Sequence, residues 1–262
     1  MEKADLDDTS LASTNDVYHG QYMQDKYLNE HVFKQRRNGV FVEIGAYDGI
    51  GLSNTYFFES ELNWNGICVE PMANIFKRLR SNRKCKCLNK CVSDHSDKAS
   101  FLHVIRNKKS TKLKVNNTNH QLQTYIGDDS FTSGCMLEPF TLKGKNRIDM
   151  VSGLLEFYNP KHLEIINKEL DELGVQKIIF ESSCISINEL LSLLPGNKID
   201  YLSIDTEGSE FHILKAIDFS RFTIDVISLE VLSSNTELPE FMEQNGYKLL
   251  KRLGCDLVYK NA

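Results

Sequence analysis

Two hydrophobic rhythms alternate along this chain. Short apolar runs that stop at glycine, proline or an acid predict buried strands: Val40–Ile44, Gly66–Val69, Cys85–Val92, Val175–Phe180, "IDYLSID" ending at Asp205, and "IDVISLEV" from Ile224. Between them, apolar residues recur at helical spacing. They predict helices around 24–33, from an N-cap at Ser53 to about Leu62, at Ala73–Leu79, over about 161–173, at Ile187–Leu194, around Ile213–Ala216 and over 237–245. The last two strands, Tyr247–Leu250 and Leu257–Tyr259, are close enough in sequence to form an antiparallel pair at one edge. Strand and helix in alternation predict an α/β fold, a three-layer αβα sandwich around a mostly parallel sheet.

The rhythm fails in two places. Residues 1–19 begin "MEKADLDDTSLASTND", acidic and polar, and read as a tail or linker rather than a signal or transit peptide. Residues 104–160 contain "RNKKSTKLKVNNTNH" and "GDDSFTSGCMLEPFTLKGKNR", which carry no clear period. So long a stretch inside a compact domain is expected to be a functional insertion, a lid or acceptor-binding region, within one domain over 20–262.

Composition narrows the function. The 262 residues carry 31 Lys and Arg against 36 Asp and Glu, a formal charge of -5, which argues against a nucleic-acid binder working by phosphate neutralisation. The one basic run, "KRLRSNRKCK", reads as a solvated helix end and loop. No apolar run approaches the ~18 residues that cross a bilayer. Seven scattered cysteines point to a reducing, cytoplasmic setting rather than a disulfide scaffold. Cys85, Cys87 and Cys91, with His95 after them, fit no familiar zinc spacing and read as core or strand thiols.

The chemistry gathers at strand ends, where an open α/β sheet binds its ligand. "EIGAYDGIGLSN" follows the first strand, and Glu70, 25 residues after Gly45, ends the second. That is close to the ~20-residue offset of an acid that accepts hydrogen bonds from ribose hydroxyls. The alternative for Glu70 is a capping carboxylate before Pro71. Ala46 stands where a dinucleotide turn needs its second glycine, and Asp48 puts an acid at the tip. A pyrophosphate is disfavoured there; a cationic, phosphate-free nucleoside such as S-adenosylmethionine fits. Ser93-Asp94, after the third strand, is placed to meet the adenine amino group, or is simply a turn.

These segments together resemble the FkbM family of S-adenosylmethionine-dependent methyltransferases. "YMQDKYL", "FVEIGAYDGIGLSNTYFFESELNWNGICVEP", "CVSD" and "DYLSIDTEGSEFHIL" carry the resemblance, over roughly residues 20–105 and 175–235. It implies a Rossmann-like class I methyltransferase fold and methyl transfer to a hydroxyl, commonly on a sugar, glycolipid or polyketide-type product. It also implies a cofactor site of Glu43, Gly45, Ala46 and Gly49 in the turn, Ser53 and Asn54 after it, Glu70, Ser93 and Asp94, with Gln24 from the early Q-D and Asp205 from the late acidic signature. A carbohydrate acceptor follows, with a glycosyltransferase, fused or working alongside, as a natural partner.

A sugar hydroxyl needs a general base, worth about a hundredfold or more. Asp205 and Glu230 both end apolar strands and are the first and second candidates; Glu207 and His212 are others. Glu207 could instead cap the next helix, Glu210 is expected on its exposed first turn, and His212 to be solvated or packed. Converging acids also suit Mg²⁺ or Mn²⁺, though the spacing demands neither. Trp64 reads as packing, while Tyr125, Phe131 and Tyr158 are candidates for stacking on a sugar face. Two other readings stay open: an NAD-type oxidoreductase and a non-catalytic nucleoside-binding module.

Overall fold

The computed structural model describes residues 17–105, 152–158, 160, 163–164, 167–168, 176–231 and 235–262. Tyr125, Phe131 and most of the expected insertion and of the helix over 161–173 lie outside the described residues. In chain order the strands are β1 (Val40–Ile44), β2 (Asn65–Val69), β3 (Lys86–Leu88), β4 (Cys91–Ser93), β5 (Lys98–Ile105), β6 (Gly153–Leu154), β7 (Gln176–Ser186), β8 (Lys198–Ile204), β9 (Thr223–Glu230), β10 (Tyr247–Leu253) and β11 (Asp256–Asn261). The α-helices are α1 (Gln24–Tyr27), continued by a π-helix over Leu28–Phe33, then α2 (Tyr56–Leu62), α3 (Ala73–Asn82), α4 (Ile187–Leu191), α5 (Glu210–Lys215) and α6 (Leu238–Gln244).

The main sheet runs β10-β11-β9-β8-β1-β2-β3. All its pairings are parallel except those of β11, which opposes both β9 and β10. The expected antiparallel pair is therefore present, with the later strand on the inside. Successive side chains of a strand point to opposite faces, and the core divides accordingly. Val42, Ile44, Leu202, Ile204, Ile227 and Leu229 pack under α4, α5 and α6. Phe41, Tyr201, Val226 and Val258 pack under the leading helix, α2, Trp64 and Leu79 of α3. Trp64 is buried, and its Nε1 donates to the Arg36 carbonyl at 2.7 Å, a packing role as expected.

The structure departs from the single-sheet expectation. The run Cys85–Val92 is two strands, because Asn89 turns aside and its Nδ2 donates to the carbonyls of Glu70 and Pro71. After it the chain leaves for a second sheet, β4-β7-β5-β6. There β7 extends six residues beyond the apolar run ending at Phe180 and lies antiparallel to β5 from Lys98↔Ser183 to Ile105↔Gln176. The polar "ESSCIS" end of β7 is long-range pairing that no hydrophobic rhythm announces.

In the main sheet β1 steps outward to β2 and β3, while β8 steps the other way to β9. The switch in strand order falls between β1 and β8, and their carboxyl ends deliver Gly45 and Asp205 to one place.

Candidate active site

Gly45 has φ +85°, and a Cβ on it would lie 1.7 Å from the Asp205 carbonyl oxygen. Only glycine allows the two strand ends to approach so closely. The Gly45 and Ala46 amides both donate to the Val69 carbonyl, at 3.1 and 3.0 Å. Gly49, at φ +84°, leaves no room for a side chain against Arg83 and Leu79. Asp48, the acid at the tip of the turn, uses its carboxylate on the turn itself: Oδ1 accepts from the Ile50 and Gly51 amides.

Behind this turn sits a buried hub. Glu43 accepts from Ser53 Oγ, the Asn54 amide at 2.7 Å, Thr55 Oγ1 at 2.7 Å and Arg83 Nη1 at 3.0 Å. Arg83 also donates to the Gly49 carbonyl, to Ser53 and Thr55, and to Glu59. Its side chain is fully buried, so this member of the "KRLRSNRKCK" run is not the solvated residue expected. Ser53 Oγ takes the first amide of α2, Tyr56, at 3.0 Å, and Asn54 Nδ2 donates to Ser203 Oγ at 3.0 Å. Glu43, Ser53 and Asn54 are thus bonded to one another and to the protein, where they shape the turn from behind.

Glu70 ends β2 with its carboxylate accepting from the Tyr47 amide at 3.1 Å and the Met72 amide at 2.8 Å. It ties the glycine turn to the start of α3. Ser93 donates to Asp94 Oδ1 at 3.0 Å, and His95 Nδ1 lies 2.6 Å from the same atom. The Asp94 side chain is more than half exposed, and its hydrogen bond with His95 holds it below the usual carboxylate range.

At the switch point, ligand atoms of Asp205, Glu207 and Glu230 lie within 4.8 Å of one another, the one such cluster of three or more metal-ligating side chains among the described residues. The backbone turns sharply to place them: Glu207 has φ +60° and Gly208 φ +127°. Glu210, expected on an exposed helical turn, is buried and folds back, accepting from the Thr206 and Gly208 amides at 2.8 and 3.0 Å. His212 is not in the cluster; it lies exposed on α5, its ring stacked on Phe157 at 4.4 Å.

Crowded acids hold protons. Burial, then Asp256 and Glu210, push Asp205 up to about 8 against an opposing hydrogen bond with Glu230. Burial, then Asp205, raises Glu230 well above its ordinary value. No described Lys or Arg is ion-paired with Asp205, Glu230, Glu210 or Asp256. Both carboxyls therefore hold their protons more tightly than ordinary carboxyls do, and a positive charge placed beside them would reverse that.

Two residues at the site, Asp256 and Tyr22, escaped the sequence reading. Asp256, buried at the start of β11, is pushed up to about 6 by burial and accepts from Gln24 Nε2 at 2.7 Å. Gln24 also accepts from the Tyr22 amide at 2.8 Å, so it is a latch between the N-terminal segment and the acid cluster. Tyr22 stacks where a Gly254 side chain would stand, with its hydroxyl 3.8 Å from Cys255 Sγ, and Glu230 and Asp256 add to the burial that raises its phenol. Tyr158, proposed for stacking on a sugar, is instead buried; burial first, then Glu207 and Glu210, raise its phenol.

The profile of the Methyltransferase FkbM domain matches residues 43–249, from the hub carboxylate through the acid cluster to β10. The chain belongs to the FkbM methyltransferase family. Membership makes it a methyltransferase dependent on S-adenosylmethionine and sets the oxidoreductase reading aside. Asp205, Glu230, Glu210 and Asp256, with no ion-paired Lys or Arg among the described residues, fit a cationic sulfonium. Gln24 and Asp256 both lie outside the matched span. No curated protein matches the chain. Among solved structures, precorrin-6y C5,15-methyltransferase from Geobacter metallireducens GS-15 is similar at 12% identity over 97% of this chain and 94% of that one, with a TM-score of 0.34, too loose to bear on fold or function.

Proposed function

We propose that this FkbM methyltransferase modifies a hydroxyl of a carbohydrate, a glycan or deoxysugar. The observation that carries the reading is the Asp205–Glu230 pair, two carboxyls within 4.8 Å at the switch point, both raised, with no ion-paired Lys or Arg among the described residues. Such a pocket suits a sulfonium and holds a base beside it. When bound, the cofactor supplies an electrophilic methyl group. Gly45 lets the ends of β1 and β8 meet at the site, Glu70 accepts from the ribose hydroxyls, and Asp94, oriented by Ser93, takes the adenine side. Asp205 receives the proton of the acceptor hydroxyl, and Glu230, hydrogen-bonded to it, holds its orientation and stands second as base. A positioned base contributes about a hundredfold or more, and alignment of the acceptor oxygen contributes further.

The insertion over about 104–160 is the acceptor region in this reading. Its described flank supports that: a side chain on Gly153 would meet the Thr206 carbonyl at 2.9 Å, and one on Gly208 the Phe157 carbonyl at 2.9 Å. A glycosyltransferase, fused or alongside, is the source of the acceptor. Six free cysteines among the described residues favour a reducing, cytoplasmic setting.

A second reading concerns the same acids. Asp205, Glu207 and Glu230 have the oxygen set of a hard divalent cation, which would hold them together and lower the pKa of an acceptor hydroxyl. Calorimetric titration with S-adenosylhomocysteine, with and without EDTA, followed by label transfer to a glycan panel, tests both. Micromolar binding with transfer to a glycan hydroxyl is expected. Transfer only to non-carbohydrate acceptors refutes the substrate class, binding without transfer leaves a nucleoside-binding module, and indifference to EDTA removes the metal.

A further inference from the structure

Two thiols touch behind the glycine turn. Cys68 lies on β2 and is wholly buried; Cys85, just before β3, is 9% exposed; their sulfurs are 3.6 Å apart. We propose that Cys68 and Cys85 are a peroxide-oxidisable dithiol that closes to a reversible disulfide.

Three observations converge on this pair. The first is reach. A disulfide needs its sulfurs at about 2.05 Å. The approach required is short, and Cys85 stands outside the ladder of β3, its amide held by the Glu59 side chain at 2.6 Å rather than by a strand partner. Cys91 and Cys184 are also neighbours, but they face each other in register across β4 and β7, with both backbones fixed.

The second is charge. Arg83, two residues before Cys85, brings a buried guanidinium, and Cys68 Sγ lies 3.7 Å from Glu43 Oε2. The two thiols are therefore unequal. Hydrogen bonding with Cys68 and Cys87, aided by Arg83, pulls Cys85 well below the usual thiol range, while burial raises Cys68. Cys85 is the nucleophile and Cys68 the resolving thiol. The third is access. Cys85 is 9% exposed and Cys68 not at all, so an oxidant meets Cys85 first, and so small an exposure suits hydrogen peroxide, little larger than water.

The chemistry balances. The Cys85 thiolate attacks one peroxide oxygen, the O–O bond breaks, and the departing hydroxide takes a proton to become water. The sulfur is now a sulfenic acid. The Cys68 sulfur attacks it, gives up its proton, and expels a second water as the S–S bond forms. Two thiols are oxidised by two electrons and one peroxide is reduced to two waters.

Treat the full chain with hydrogen peroxide, alkylate, and map the peptides without reduction. The free-thiol count should fall by two, with Cys68 and Cys85 cross-linked and the link reversed by dithiothreitol. In Cys68→Ser, Cys85 should stop as a sulfenic acid that dimedone traps. The proposal is overturned if both thiols stay free in the wild type, if the cross-link joins Cys91 to Cys184 instead, or if dimedone labels other cysteines of the variant but not Cys85. The wild-type map decides the matter even where the variant folds poorly.

Discussion

Asp256 stands directly opposite Glu230, in the register where antiparallel β11 meets β9. Because β11 runs against its neighbours, its first residue arrives at the carboxyl edge that receives the last residue of β9 and the residue after β8. A strand that closes the fold thereby adds a fifth acid to Asp205, Glu207, Glu210 and Glu230.

The charge of Asp256 is the largest influence on Asp205 after burial. Asp256→Asn removes it and keeps an oxygen for Gln24. The acidic limb of the pH–rate profile should move to lower pH. An unmoved limb would mean that Asp205 titrates independently of Asp256, or that it is not the base.

Stability should follow the same protons. Asp205, Asp256 and Glu230 hold theirs more tightly folded than unfolded. Their contribution is therefore greatest below the unfolded carboxylate range and declines as pH rises from about 4 to about 8. Asp94 and Asp218, lowered by His95 and Ser220, act in the opposite sense but lie in solvent, where screening weakens them. Thermal melts across this range should show Tm falling with pH in the free protein, with stabilisation by S-adenosylmethionine growing over the same interval. A rising Tm would contradict the assignment of these raised groups.

Asp205→Asn should cut turnover by about a hundredfold or more while S-adenosylhomocysteine still binds. His212→Ala, exposed on α5 and outside the acid cluster, should leave turnover nearly unchanged. Steady-state kinetics beside calorimetry separates the two; the reverse ranking would transfer the base to His212.

Glu70→Ala removes the acceptor of the Tyr47 and Met72 amides. Losing charge-assisted hydrogen bonds of about 1.5–3 kcal/mol each should weaken S-adenosylhomocysteine by tenfold or more. Unchanged affinity would place the ribose elsewhere.

Arg83→Met strands the Glu43 carboxylate without its buried cation. Such a loss costs about 3–5 kcal/mol, and Tm should drop sharply, with partial recovery in the double variant with Glu43→Gln. Denaturant titration checks the cycle; additive effects would show that the two side chains are not coupled.

The sequence by itself determined the layered α/β order and the strand ends where chemistry gathers. Local patterning reaches that far: buried strands read as apolar runs, Gly45 marks a close approach, and Asp205 and Glu230 end their strands. It also carried the family motifs. It did not reveal the second sheet, because the "ESSCIS" end of β7 is held by pairing with β5 and β4 rather than by its own hydrophobicity. Nor did it separate roles among the polar residues. Glu43 and Glu210 look like ligand or surface acids in a string of letters, and only packing shows them spent on Arg83 and on the loop after β8. Asp256, Gln24, Arg83 and the Cys68–Cys85 contact join residues 17 to 232 positions apart, and one strand reversal decides where Asp256 points. Those relations belong to the tertiary structure, since no local rule fixes which distant side chains share a low-dielectric space.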